Sequence, residues 1–284
     1  MHGMQDRMLE YLEGVSGPHP EVVYHYTTQD GFLGILRSKV LWASNAMYLN
    51  DSSELNYGVQ VFDKVRAAWV AGSTDARKVR LDEIWRDVLS RQLEAGVYVV
   101  AFSVKRDDLA QWRAYGGHTG YCLGFSTTDL LLRAQAMRPP GTFLRCLYLE
   151  SEQRAAAEQM IALLHANCDP GIPDQARTDF RGLLFMVASC FKHPSFKDEG
   201  EWRLFFLPER RTPEVLEFRP GRGFLIPYRS VPMETREFAP QLKNVMVGPT
   251  PHPELARPAA WNACTSLGWN LDEVRVTEAP FRSW

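Results

Sequence analysis

The chain has 284 residues, 45% of them hydrophobic and 23% charged, with 20 glycines and 18 prolines. That composition builds a packed core and excludes disordered, collagen-like and coiled-coil chains. Its 32 lysines and arginines meet 34 aspartates and glutamates, a formal net charge of −2, so the overall field gives no pull toward polyanions and only a local basic groove would hold them.

No stretch approaches the roughly 20 continuous apolar residues of a membrane span, and Met1–Asp6 lacks the basic-then-apolar order of a signal peptide. The expectation is a cytoplasmic protein with no membrane partner. Five cysteines, Cys122, Cys146, Cys168, Cys190 and Cys264, are widely spaced and never form a C-x-x-C pair, which reads as reduced, buried thiols rather than a zinc knuckle or disulfide framework.

In chain order, Met4, Met8, Leu9 and Leu12 repeat at helical spacing over about Met4–Glu13, before the Gly17-Pro18-His19-Pro20 breaker. Glu21–Tyr26 is β-branched and aromatic, and Thr27-Thr28 supplies a cap for a short helix burying Phe32, Leu33, Ile35 and Leu36. A second strand follows at Val40–Ser44. Asp51 and Glu54 have capping-box spacing for a helix running to about Trp69, and after Gly72-Ser73 another amphipathic helix extends to about Glu94. Gly96–Val104 is almost wholly apolar and predicts a central strand buried on both faces.

Tyr121–Phe125 and Phe143–Leu149 read as strands flanking a short helix near Leu130–Ala136. Helices are predicted over Ser151–Ala166 and Asp174–Phe191, then a strand at Trp202–Leu207. Val215–Phe218 and Phe224–Tyr228 form a hairpin around Pro220–Gly223, and Val245–Val247, a helix and a strand at Val274–Thr277 complete the chain. Strands and helices without strict alternation predict an α+β fold with a mixed central sheet and flanking helices. No segment is rich enough in Gly, Ser or Pro to be a domain linker, so residues 1–284 are expected to form a single domain.

The sequence contains no G-x-x-x-x-G-K-[ST], no G-x-G-x-x-G after a strand, no G-x-S-x-G and no H-E-x-x-H, which excludes P-loop hydrolysis and standard dehydrogenase chemistry. Four clusters at strand ends remain. His25-Tyr26-Thr27 puts an imidazole and a hydroxyl two residues apart, suited to two neighbouring sugar hydroxyls; the plainer reading is a structural histidine and a helix cap. Trp42-Ala43-Ser44 with Tyr48–Asp51 and Glu54 reads as a site wall or as aromatic core plus capping box. Ser103 with Gln111–Gly117 offers Arg113 and Tyr115 to a planar, phosphate-bearing ligand, or makes a ligand-free turn. Asp198–Arg203 places Glu199 and Glu201 at a loop-to-strand junction, either as working carboxylates or as a solvated turn with a Glu201–Arg203 ion pair.

Taken together, His25-x-Thr27 on a first strand, a short helix, an aromatic second strand and a late Glu199-x-Glu201 at a strand head resemble the ADP-ribosyltransferase-like fold. More closely, His25-Tyr26-Thr27, Leu41–Ser44, Leu49-Asn50-Asp51 with Glu54, Phe102-Ser103, Gln111–Gly116, Phe196–Arg203, Val247-Gly248-Pro249 and Ala279–Arg282 are similar to a widespread bacterial family catalogued as a domain of unknown function. Phe281 replaces the tyrosine of that family's terminal Pro-Tyr-Arg.

The transferase resemblance implies NAD as substrate, with His25, Tyr26 and Thr27 holding its ribose, Glu201 as catalytic glutamate and Glu199 serving the acceptor. Tyr48 or Tyr115 would stack on nicotinamide, Ser103 would line the pocket and Arg113 would pair with pyrophosphate. The implied reactions are ADP-ribosyl transfer or NAD hydrolysis, with protein, nucleic acid, a small molecule or water as acceptor. By analogy they fit a bacterial toxin or phage-defence role. Two other classes stand beside this one: a non-catalytic nucleotide-binding or interaction domain, and a magnesium-dependent nuclease built on His25, Asp51, Glu54 and Glu201.

Overall fold

The computed structural model describes residues 2–49, 52–117, 119–167, 174–208, 216–221, 223–235 and 239–280. The expected cap at Asn50-Asp51, Cys168, the hairpin residues Val215 and Arg222, and the terminal Phe281-Arg282 lie outside them.

The first half of the chain runs α1 (His2–Ser16), β1 (Val22–Thr28), α2 (Gln29–Ser38), β2 (Val40–Asn45), α3 (Ser52–Val70), α4 (Ala76–Ser90), β3 (Tyr98–Ser103), α5 (Leu109–Tyr115), β4 (Gly120–Ser126), α6 (Thr127–Ala136) and β5 (Thr142–Arg145). The second half runs α7 (Glu150–Ala166), α8 (Asp174–Ser189), β6 (Glu201–Phe206), β7 (Glu217–Pro220), β8 (Leu225–Pro232), β9 (Gln241–Leu242), β10 (Asn244–Val247), α9 (Pro253–Ser266), β11 (Asn270–Leu271) and β12 (Val274–Val276).

This is an α+β arrangement around a mixed, mostly antiparallel ten-stranded sheet, in which β12 pairs parallel with β10. β3 sits at its centre, as its unbroken apolar run requires: β6 lies along one edge from Tyr98 to Ser103, while the other edge is shared by two strands. β1 pairs with β3 only at Tyr24↔Ser103, and β2 only at Ser44↔Val99 and Asn45↔Tyr98. The sheet therefore splits along the middle of β3, one wing carrying β1, β4, β10 and β12 and the other β2, β8 and β7.

Each face of the sheet has its own core, and the period of two along the strands decides which residue serves which. Val99 and Phe205 pack with α1, α3, α4, α7 and α8, whereas Val100, Phe102 and Leu204 pack with α2, α6 and α9. Glu201 and Arg203, in phase with Phe205, consequently point toward the larger helical layer.

Side-chain caps explain several helix starts. Thr28 caps α2, its hydroxyl accepting from Gly31 N at 3.2 Å. Two expectations change. The strand expected over Phe143–Leu149 stops at Arg145, after which Leu147 bridges to Phe191 and α7 begins at Glu150. The Gln111–Gly117 segment, whose plainer reading is a turn, opens with a true helix because Asp108 caps it, accepting from Ala110 N and Gln111 N.

Candidate functional site

At the point where β1 leaves β3, a cleft of about 80 Å³ is lined by Tyr24, His25, Tyr26, Ala101, Phe102, Ser103, Gln111, Tyr115, Glu199 and Glu201. Its floor is sheet. Tyr24, Ser103 and Glu201 stand directly opposite one another on β1, β3 and β6 and so share a face. α5 forms one wall, with Gln111 and Tyr115 four residues apart on one side of the helix. Glu199, the last residue of the 3₁₀ turn Pro194–Glu199, also lines the cleft.

That turn is set by Gly200, the residue between the two glutamates. Its φ of 53° lies in the left-handed region, and a Cβ there would fall 2.7 Å from Val104 Cγ2. The Ser103 hydroxyl ties the turn to the sheet, donating to Glu199 O at 2.6 Å and accepting from Lys105 N at 3.1 Å. Ser103 thus spends its hydroxyl on positioning Glu199.

Behind the cleft lies an ion-pair cluster. Lys192 Nζ, 1% exposed, meets Glu201 Oε2 at 2.6 Å, Glu54 Oε1 at 3.1 Å and the Glu199 carboxylate. Arg203 donates from Nε to Glu201 Oε1 at 2.5 Å, from Nη2 to Glu54 Oε2 at 2.8 Å and from Nη1 to Ser189 O at 2.5 Å. Three carboxylates thus surround two cations, leaving one negative charge in excess when all are ionised. The Lys192 backbone is held in turn by Gln153, whose amide donates to Lys192 O and Leu147 O.

The two glutamates part company. Burial alone would raise the Glu201 pKa, but Arg203 and then Lys192 hold it below the usual carboxylate value. Glu199 is raised, because its burial outweighs the Lys192 hydrogen bond and neighbouring Glu201 and Glu54 add repulsion. Both oxygens of Glu201 are engaged and its side chain is 9% exposed, against 21% for Glu199. Glu199 is therefore the carboxylate better placed to meet a ligand. Although the Tyr115 side chain is exposed overall, desolvation of its phenol and then the Glu201 charge push its pKa up to about 12, so it stays a neutral phenol at ordinary pH.

The structure brings six sequence-predicted residues to this cleft, His25, Tyr26, Ser103, Tyr115, Glu199 and Glu201. His25 reaches it from a different direction than the pattern suggested. It is one position out of phase with Tyr24 and pairs with Leu123 of β4, so its ring sits at the split, edge-on to Phe102. There its Nδ1 donates to Ala101 O at 3.0 Å, bridging strands whose ladder has ended. Desolvation lowers its pKa, favouring the neutral ring. Tyr26 contributes ring surface only, because its hydroxyl donates to Lys105 O and accepts from Asp108 N.

Thr27, Tyr48 and Arg113 do not line the cleft. Tyr48 lies edge-on to Phe224, and Arg113 falls off the α5 face that Gln111 and Tyr115 share, since each helical residue turns the chain by about 100°. Glu54, expected in a capping box, meets Lys192 and Arg203 of the cluster. Sequence reasoning missed Lys192 and Gln111 in these roles; the signal for Lys192 was a lysine immediately after an apolar helix, where an unpaired charge would be costly. A larger groove of about 930 Å³ between α3 and α7 is lined by none of the predicted site residues.

Residues 111–204 match the family model described as a protein of unknown function (DUF2971). The matched stretch carries Gln111, Tyr115, Lys192, Glu199, Glu201 and Arg203, and the match agrees with the expected likeness to a domain of unknown function. No curated protein and no solved structure matches the chain. Among the described residues, no helix is long and apolar enough to cross a membrane.

Proposed function

We propose that the cleft takes the nicotinamide–ribose end of NAD and cleaves the bond between them, the ADP-ribosyl group passing to water or to another acceptor. The carrying observation is that the Glu199-Gly200-Glu201 turn and β1's His25 line one cleft at the split of the sheet. In this reading the fold is ADP-ribosyltransferase-like.

The chemistry suits the residues. As the ribose C1′–N bond breaks, its electron pair leaves with nicotinamide and positive charge develops on the sugar, as in glycoside hydrolysis. Glu201, fixed by Lys192 and Arg203, supplies a negative potential that needs no rearrangement. Glu199, more exposed and with its pKa raised, takes the proton from the attacking water as the new C–O bond forms. The cleft holds one small group, so the rest of a dinucleotide lies outside it along the split.

The test is nicotinamide release from NAD by purified protein, with Glu199→Gln expected to slow it by roughly 100-fold or more without unfolding the chain. No release with water or any acceptor sinks the reading. One observation favours a second reading, a non-catalytic nucleotide-binding domain: both oxygens of Glu201 are already engaged by cations, as in a structural ion-pair cluster.

A further inference from the structure

The lining of the cleft is chemically one-sided. Tyr24, Tyr26, Phe102 and Tyr115 present aromatic surface, Glu199 and Glu201 present carboxylates, and among the described lining residues there is no lysine or arginine. Lys192 and Arg203 stand behind the carboxylates, and the cluster they belong to has one negative charge in excess when all its groups are ionised. Aromatic faces beside carboxylates attract a cation and repel a phosphate.

A second observation is independent of the charges. Gln111 is only 7% exposed and lines the cleft, yet its side-chain amide makes no hydrogen bond to any described residue. Its amide atoms reach solvent, so they open onto the cleft instead of closing on the protein. The amide thus offers an N–H donor and a C=O acceptor beside an aromatic, anionic space, which is the complement of a carboxamide carried on a cationic ring.

We infer that the cleft selects a pyridinium ring bearing a carboxamide, with Gln111 as the residue that reads the carboxamide, and that the cleft itself holds no phosphate. The ligand class is then a pyridinium nucleoside, any phosphates of which lie outside the cleft. The identity of the ring rests on the reading above; the preference for a small planar cation does not.

The experiment is calorimetric titration of the full chain with three probes that have no scissile glycosidic bond to nicotinamide: 1-methylnicotinamide, neutral nicotinamide and ADP-ribose. The cation is expected to bind about tenfold more tightly than nicotinamide, and ADP-ribose is expected not to displace it. Glu199→Gln should remove most of that difference, and Gln111→Leu should weaken 1-methylnicotinamide several-fold while leaving 1-methylpyridinium, which lacks the carboxamide, unchanged. Tyr115→Leu removes an aromatic wall without entering the ion-pair cluster and should weaken both cations. Equal binding of nicotinamide and its methylated cation, displacement by ADP-ribose, or binding of none of the probes overturns the inference. Cation binding without nicotinamide release from NAD keeps it and removes the catalytic reading. Release from NAD with no preference for the cation does the reverse.

Discussion

Lys192 Nζ and Glu201 Oε2 lie 2.6 Å apart although one residue follows a helix and the other opens a strand. The contact joins α8 to β6, and because Glu54 of α3 meets the same ammonium at 3.1 Å, it joins α3 as well. A buried ammonium in such a place is tolerable only with its carboxylates present. Burial opposes the charge on Lys192, and Glu201 more than restores it, so its pKa ends above the usual lysine value.

Lys192→Met should therefore destabilise the fold by about 3–5 kcal/mol, since it leaves three carboxylates converging on an apolar side chain. The denaturant midpoint measures it. Combining it with Glu199→Gln should cost less than the sum of the two, because the second change removes part of the repulsion that the first exposes. Simple additivity would mean that the two side chains do not interact.

The two glutamates should leave opposite signatures in stability against pH. Glu201 has its folded pKa depressed, so its contribution is present above the ordinary carboxylate value of 4.5 and is lost as pH falls through the lower folded value. Glu199 has its folded pKa raised, so its protonated form is favoured on folding. That contribution is full below 4.5 and is lost as pH rises through the higher folded value. Glu199→Gln should thus flatten the stability profile just above the ordinary carboxylate range and leave the acid limb in place. Thermal unfolding across that range, wild type against variant, reads the difference; a variant whose profile changes only on the acid limb contradicts the assignment.

Much of this arrangement was legible locally. The apolar run Gly96–Val104 announced a strand with neighbours on both sides, and β3 has them. The spacing of Glu199 and Glu201 about a glycine announced a turn at a strand head, and Gly200 makes it. Convergence from afar was not legible: Glu54 and Arg203 are 149 positions apart, and no periodicity reports which helix face will meet which strand. Tyr48 and Tyr115 were equivalent candidates for the same reason, since only the docking of α5 on β1 brings one of them to the cleft. His25 shows a limit of another kind. Alternation along β1 is a local rule, and the split of the sheet at Tyr24 ends the ladder just where the rule would have been applied.

Gly200→Ala should cost roughly 1–2 kcal/mol from its left-handed φ alone, with more added as the new methyl meets Val104 Cγ2 at 2.7 Å. The larger consequence is positional: Gly200 O accepts from Val104 N at 3.0 Å, so any shift there moves both glutamates relative to Ser103. Ligand affinity should fall further than the loss of stability would suggest. A variant that loses stability but binds 1-methylnicotinamide as wild type does would mean that the turn's geometry is not what the site uses.

Tyr26→Phe separates a structural tyrosine from a ligand-binding one. Its hydroxyl receives the Asp108 N–H at 3.0 Å and donates to Lys105 O at 2.8 Å, and its ring packs edge-on against Trp112 at 4.7 Å. Those bonds hold the loop from β3 to the Asp108 cap, from which α5 carries Gln111 and Tyr115 into the cleft. Removing the hydroxyl leaves the part-buried ends of two hydrogen bonds without a partner, a loss of about 1 kcal/mol. Ring area facing the cleft is unchanged. The expected result is a lower unfolding midpoint with ligand affinity nearly intact once the folded fraction is taken into account. If Tyr26 instead held a ribose hydroxyl, the variant would keep its midpoint and lose affinity for a nucleoside, but not for 1-methylnicotinamide, which has no ribose. Measuring both ligands on one variant therefore assigns the hydroxyl either to the loop or to the ligand.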